Sequence, residues 1–318
     1  MLDVVAKAVF STLAASASLK RLASRYGMRH EGSFARRFVA GETVPEAIDA
    51  ARVIERQGLT VTLDLLGESV GSTTAAAEAT GAYVRLIDEI ARAGVSRNIS
   101  LKLTQLGLDI DRATTVDNLR RVLDLAGQAD VFVRIDMENS PYIEQTLDTF
   151  ETVWTLGYRN AGVVIQSCLK RSEGDVRRIL ALGARIRLVK GAYREPPSVA
   201  FQQKSEVDAA FRDLTRLLLT EGTYPAIATH DPDMIDAARR FAKERGVAPD
   251  KFEFQMLYGI RRDLQASLAA DGYRMRVYVP FGTEWFPYFM RRLGERPANV
   301  AFVLRGILSE SPKSPESP

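Results

Sequence analysis

Histidine and cysteine are nearly missing from this chain of 318 residues, which has two of the first and one of the second. Cys168 alone cannot close an intramolecular disulfide, so the sequence suits a reducing, cytoplasmic compartment. His30 and His230 lie far apart and no Cys/His spacing suits zinc, so no metal is expected. No apolar run approaches the roughly 18 residues that a membrane span needs. No GxGxxG follows a strand pattern and no GxxxxGK occurs, which leaves Rossmann and P-loop nucleotide sites unsupported. The 43 basic and 40 acidic residues are interspersed, and a net charge of +3 without a basic tract argues against nucleic acid as a partner. The apolar stretch Ala8–Leu19 has the outline of a signal-peptide core. Lys7 is its one preceding positive charge and Asp3 opposes it, so an amphipathic helix is expected there instead.

What is present is an ordinary globular composition, 46% hydrophobic and 26% charged, with ample material for one large core. Residues 1–55 carry helical patterning and no strand signal, and they are expected to form a helical arm. Within it, Lys20–Arg37 is basic and contains Phe34 and Phe38; a solvated covering helix is favoured over contact with anionic lipid. From Thr60 the pattern changes. Short β-branched or apolar runs recur, starting near Thr60, Asn98, Val131, Ala161, Ala184, Tyr224, Phe252 and Arg274, with helical periodicity between them. Eight strand–helix units predict an α/β fold, a (β/α)8 TIM-like barrel over residues 56–308. Gly127 and Gly222 stand where helix C-caps belong. A last helix, ended by Pro297, is expected over the barrel mouth, and the Pro-rich tail 309–318 reads as disordered.

Each run places polar residues late in an apolar strand, where barrel enzymes build their sites. Burying such groups unpaired would cost several kcal/mol each, roughly 2–7, so a ligand-filled mouth is expected. In the helical segment YFMRRLGE, residues Tyr288, Arg291, Arg292 and Glu295 share one face. Two adjacent guanidiniums there suit bidentate capture of a carboxylate or a phosphate. The KGAY turn, Lys190 to Tyr193, exposes backbone N–H groups that could approach a phosphate.

Taken together, LVKGAY, QMLYG, VPFGTEW, YFMRRLGE, the KL after the second strand and RIDME in the third resemble the catalytic core of proline dehydrogenases. The resemblance runs from about Thr60 to about Leu304 and matches the stand-alone bacterial type in length. It implies FAD-dependent oxidation of L-proline to Δ1-pyrroline-5-carboxylate. Arg291 and Arg292 would take the substrate carboxylate, with Lys102 as a third cation. Tyr278 and Tyr288 would wall the ring, Leu257 would pack on its apolar side, and Asp136 would balance the cations. For FAD, the matching positions are Met137, Gln166, Arg187, Lys190, Gly191, Ala192, Thr229 and His230, with Arg187 near flavin N5. Glu68 would pair with Arg291 as a gate. The chain departs from the family pattern at QSCL, which puts Cys168 where an aromatic is usual, and at ATHD, which replaces ATHN. The resemblance further implies a membrane quinone as electron acceptor, reached by peripheral contact at the inner membrane face; a homo-oligomer is compatible with it. Rivals are hydroxyproline oxidation, which the bulk of Tyr288 disfavours, a Schiff-base lyase using Lys190 or Lys102, and a non-catalytic barrel that only binds an anion.

Overall fold

The structure is a computed structural model that describes Met28 and residues 33–95 and 97–295. Ala8–Leu19, most of the basic segment Lys20–Arg37, Pro297, the tail 309–318 and the side chain of Glu295 lie outside the described residues.

Eight strands alternate with helices: β1 Thr60–Leu65, β2 Asn98–Leu101, β3 Phe132–Ile135, β4 Ala161–Gln166, β5 Arg185–Val189, β6 Ala226–Ala228, β7 Glu253–Leu257 and β8 Arg274–Phe281. They pair in sequence order and close into a parallel barrel. Closure is made by the β1–β8 pairing, which runs from Thr60 opposite Arg276 to Leu65 opposite Phe281. Val61, Leu63, Ile99, Val133, Val163 and Ile186 are buried, as strands covered on both faces require. The expected (β/α)8 fold is therefore present.

The helices follow their sequence signals. Helix α1, Val44–Glu55, opens with a capping box between Thr43 and Glu46 and buries Ala47, Ile48, Ala51 and Ile54 at helical spacing. Ser72 and Asp111 cap α2, Thr73–Ala93, and α3, Arg112–Gln128. The later helices are α4 Ile143–Thr155, α5 Ser172–Leu180, α6 Lys204–Glu221, α7 Pro232–Glu244, α8 Arg262–Ala270 and α9 Trp285–Glu295. Of the two expected glycine caps, Gly222 is found at its helix end and Gly127 is corrected. Gly127 lies inside α3, whose cap is Ala129. Gly222 ends α6 with an extended backbone, φ −83°, not a left-handed one.

A second apolar cluster fixes the last helix. Phe38, Val39 and Leu66 pack with Trp285, Phe286 and Phe289. Trp285 Nε1 donates to Glu42 Oε1 at 2.8 Å. Gly259, at φ +73°, lets the end of β7 pass beneath this segment; a Cβ there would overlap the carbonyl oxygen of Arg37. Burying each of these large side chains contributes about 1.5–3 kcal/mol. The segment before α1 thus holds α9 against the barrel.

Candidate active site

A cavity of about 580 Å³ opens at the C-terminal ends of the strands. Every residue expected to bind substrate lines it: Lys102, Leu257, Tyr278, Tyr288, Arg291 and Arg292. So do Asp136 and Arg187, and the positions expected for the cofactor, Met137, Gln166, Lys190, Gly191, Ala192, Thr229 and His230. Glu68 is the exception; it stands at the rim, joined to the cavity through its ion pairs.

One side of the cavity is cationic. Arg291 Nη2 donates to Glu68 Oε1 at 2.8 Å, and Lys102 Nζ lies 3.9 Å from the same oxygen. Arg292 is buried, its guanidinium carbon 5.1 Å from the centre of the Tyr288 ring. Burial alone would discharge Lys102, but Asp64, Glu68 and Asp136 outweigh it and raise its pKa. Burial likewise opposes the charge on Arg291, and Glu68 is the main group that reverses it. Both cations are therefore held charged, Lys102 buried and Arg291 at the partly exposed rim, where together they attract an anion.

At the centre, Arg187 Nη1 donates to Asp136 Oδ1 at 2.7 Å and to Ser100 Oγ at 3.3 Å. The Tyr278 hydroxyl donates to the other oxygen, Asp136 Oδ2, at 2.7 Å. Both Asp136 oxygens are thus held, across three strands. Burial, with Asp136 next, pushes the Tyr278 phenol far above its ordinary value, so it stays a donor. Arg187 keeps Nε and Nη2 buried with no hydrogen-bond acceptor among the described residues. Unmet donors of a charged group are costly and point to a ligand acceptor.

The far side is built on β4, β5 and β6. Gln166 Nε2 donates to the Glu138 carbonyl at 2.7 Å, while its Oε1 is buried with no donor. Gly191 has φ +118°, and a Cβ there would overlap Cys168 Sγ. Burial pushes the Cys168 thiol up to about 11, so it is an inert filler and not a nucleophile. Lys190 Nζ meets Asp208 at 2.5 Å and Asp231 at 2.7 Å, which leaves one N–H for a ligand. His230 Nε2 accepts from the Leu257 amide at 2.9 Å, which places the ring proton on Nδ1. Thr229 is buried and its hydroxyl accepts from the Asp231 amide at 3.1 Å.

Several residues in the site had no role assigned from sequence. Asp64, fully buried on β1, lines the cavity with neither carboxylate oxygen hydrogen-bonded, and burial lifts its pKa to about 6. Its signal was a lone acid inside the apolar run TVTLDLL. The partners of Lys190 were also missed, although Asp231 is the unusual residue of ATHD. Behind Glu68, Thr104 donates its amide and hydroxyl to Glu138 and accepts from the Ser69 amide at 3.2 Å. Among the described residues no group of three or more His, Cys, Asp or Glu is placed to hold a metal ion.

Fold and site define a (β/α)8 barrel with three cations lining the cavity at its mouth. Residues 47–305 match the family model described as proline dehydrogenase, and the chain belongs to that family. It is 44% identical over 302 residues, covering 95% of this chain and 99% of the other, to Proline dehydrogenase 1 of Bacillus subtilis. To the Proline dehydrogenase of Deinococcus radiodurans it is 43% identical, with 87% of this chain and 90% of that one aligned. Among solved structures it is similar to proline utilization A of Bdellovibrio bacteriovorus inactivated by N-propargylglycine, with a TM-score of 0.77 and 26% identity. That alignment covers 90% of this chain but 36% of the other, so this chain spans about a third of that larger protein.

Proposed function

We propose that this chain oxidises L-proline to Δ1-pyrroline-5-carboxylate with FAD as its cofactor, in proline catabolism. The observation that carries this is the juxtaposition, within one cavity, of three cations with unmet polar groups on the opposite side. Lys102, Arg291 and Arg292 form a receptor for a small carboxylate. Tyr278, Tyr288 and Leu257 supply flat and apolar walls that suit a saturated five-membered ring.

The remaining lining fits a flavin dinucleotide. Gln166 Oε1 is a buried acceptor awaiting a donor, such as the N–H of a pyrimidine edge. Arg187 Nε and Nη2 are donors awaiting an electron-rich ring. The open backbone at Gly191 and the remaining Lys190 donor suit a diphosphate. Thr229 and His230 would hold the adenosine end. When bound, FAD supplies the two-electron acceptor. The chain's own residues bind the carboxylate, fix the ring, and exclude water through the Glu68–Arg291 pair as a gate. Asp136 keeps Arg187 oriented and charged.

Among the described residues no helix is long and apolar enough to cross a membrane. A membrane quinone remains our proposed acceptor on family resemblance, with peripheral contact at the inner face. The test is direct. The purified protein should be yellow and should bleach on anaerobic addition of L-proline. A colourless protein trapped on Lys190 or Lys102 by borohydride with its substrate would replace this proposal with Schiff-base chemistry.

A further inference from the structure

Three carboxylates line the cavity, Asp64, Asp136 and Asp231, and of these Asp64 alone is not hydrogen-bonded, Asp231 being taken by Lys190. Asp136 has both oxygens held, by Arg187 and by Tyr278 at 2.7 Å each. Asp64 is two strands away on β1, is 1% exposed, and has no hydrogen bond at either oxygen. We propose that Asp64 is the group that receives the proton of the substrate's ring ammonium. This rests on the oxidation of proline proposed above and names a step that it leaves open.

The charged groups around Asp64 are balanced to keep it available. Lys102, following β2, draws it toward the ionised form, and Arg187 on β5 does so more weakly. Asp136, following β3, opposes this, and Tyr83 on α2 feels the Asp64 charge. Tyr278 on β8 stands close enough to favour the carboxylate, but its hydroxyl proton goes to Asp136. Burial is the dominant influence and places the group at about 6. A carboxylate poised near neutrality can both take a proton and release it within a catalytic cycle.

The chemistry balances as follows. An N–H bond of the ring ammonium breaks, an O–H bond forms on Asp64, and the electron pair stays on nitrogen. With FAD bound as the two-electron acceptor, that pair would be free to close the C=N bond as the adjacent ring carbon lost hydride. The proton on Asp64 leaves to solvent after the gate opens. Lys102 and Arg291 cannot serve as the base, because both are held protonated by the surrounding carboxylates. Asp136 cannot do so without releasing Arg187.

The experiment compares wild type, Asp64→Asn and Asp64→Glu as flavin-loaded proteins. Bleaching of the wild type by L-proline is established first; its absence would overturn the proposed function and this inference with it. Given bleaching, kcat/KM for the wild type should fall on the acid side near pH 6. Asp64→Asn should lower kcat by roughly 10²–10⁴-fold and abolish that limb, while Asp64→Glu keeps a displaced limb and part of the rate. The ring-oxygen isostere, tetrahydro-2-furoate, gives a readout independent of turnover. Its binding to the wild type should weaken as Asp64 ionises, because carboxylate and ring oxygen are both acceptors. In Asp64→Asn it should bind at least as tightly, with that pH dependence gone. A wild-type acid limb and rate in Asp64→Asn would overturn the inference and leave the proposed function standing. So would a variant that raised only KM, since that is the signature of charge balance for Lys102.

Discussion

Arg291 on α9 and Glu68 after β1 are joined by a 2.8 Å hydrogen-bonded ion pair that spans 223 positions of sequence. The pair is partly exposed, at 31% and 36%, so it contributes little to stability, about 0–1 kcal/mol. Its place at the rim is the basis of the proposed gate role. Glu68→Gln should leave the melting temperature nearly unchanged while raising KM for proline and altering kcat. Steady-state kinetics beside a thermal melt checks this; unchanged kcat and KM would remove the gate role.

The arginine pair should not tolerate lysine. Arg291→Lys and Arg292→Lys keep the charge but lose the planar fork. Each change forfeits a charge-assisted hydrogen bond of about 1.5–3 kcal/mol, so KM for proline should rise roughly 10- to 100-fold. Titration with a carboxylate analogue, followed by flavin absorbance, separates this from an effect on chemistry.

Asp136→Leu should be among the more damaging single changes. It strips the partner from Arg187, whose side chain is 6% exposed. A buried charge left uncompensated costs about 3–5 kcal/mol. Urea denaturation should show this loss. Tyr278→Phe, which removes one donor to Asp136 and no charge, should cost about 1 kcal/mol.

Gly191→Ala tests the fit of the cofactor turn. The backbone stands at φ +118° and a Cβ would meet Cys168 Sγ. The variant should lose flavin on gel filtration and unfold earlier by about 1–3 kcal/mol. Adding Cys168→Ala should restore part of the loss, since it removes the clash and leaves the φ strain.

The bonding within the arm, between Glu46 and Arg36, should weaken in acid. Burial by itself would raise the pKa of Glu46, but bonds from Arg36, Thr43 and the Glu42 and Thr43 amides bring it to about 2. The folded value lies below the ordinary 4.5. Its contribution is therefore complete above pH 4.5 and is lost as pH falls toward 2. Glu46→Gln should flatten that part of the stability–pH curve, as read by thermal melts over the range.

Much of this was legible along the chain. Strands such as NISL and VFVRI announce themselves by β-branched runs, and their polar ends marked the mouth. The face of YFMRRLGE was visible because helical spacing is a local property. Helix ends were less so: Gly127 looked like a cap but is passed over, because Ala129 ends α3 with its amide on Leu125 and Gly127. Asp64 and Asp136 both appeared as acids late in strand runs, and family resemblance gave a role to the second alone.

The sequence by itself determined the number and order of strand–helix units, the end of the barrel that carries chemistry, and the residue types gathered there, because periodicity and propensity act over a few neighbours. Only the tertiary structure decided which acid is engaged and which is left open. Tyr278 reaches Asp136 across 142 positions and Arg187 reaches it across 51. Such pairings are set by barrel closure and strand register, where the donors that satisfy one carboxylate are withheld from the other.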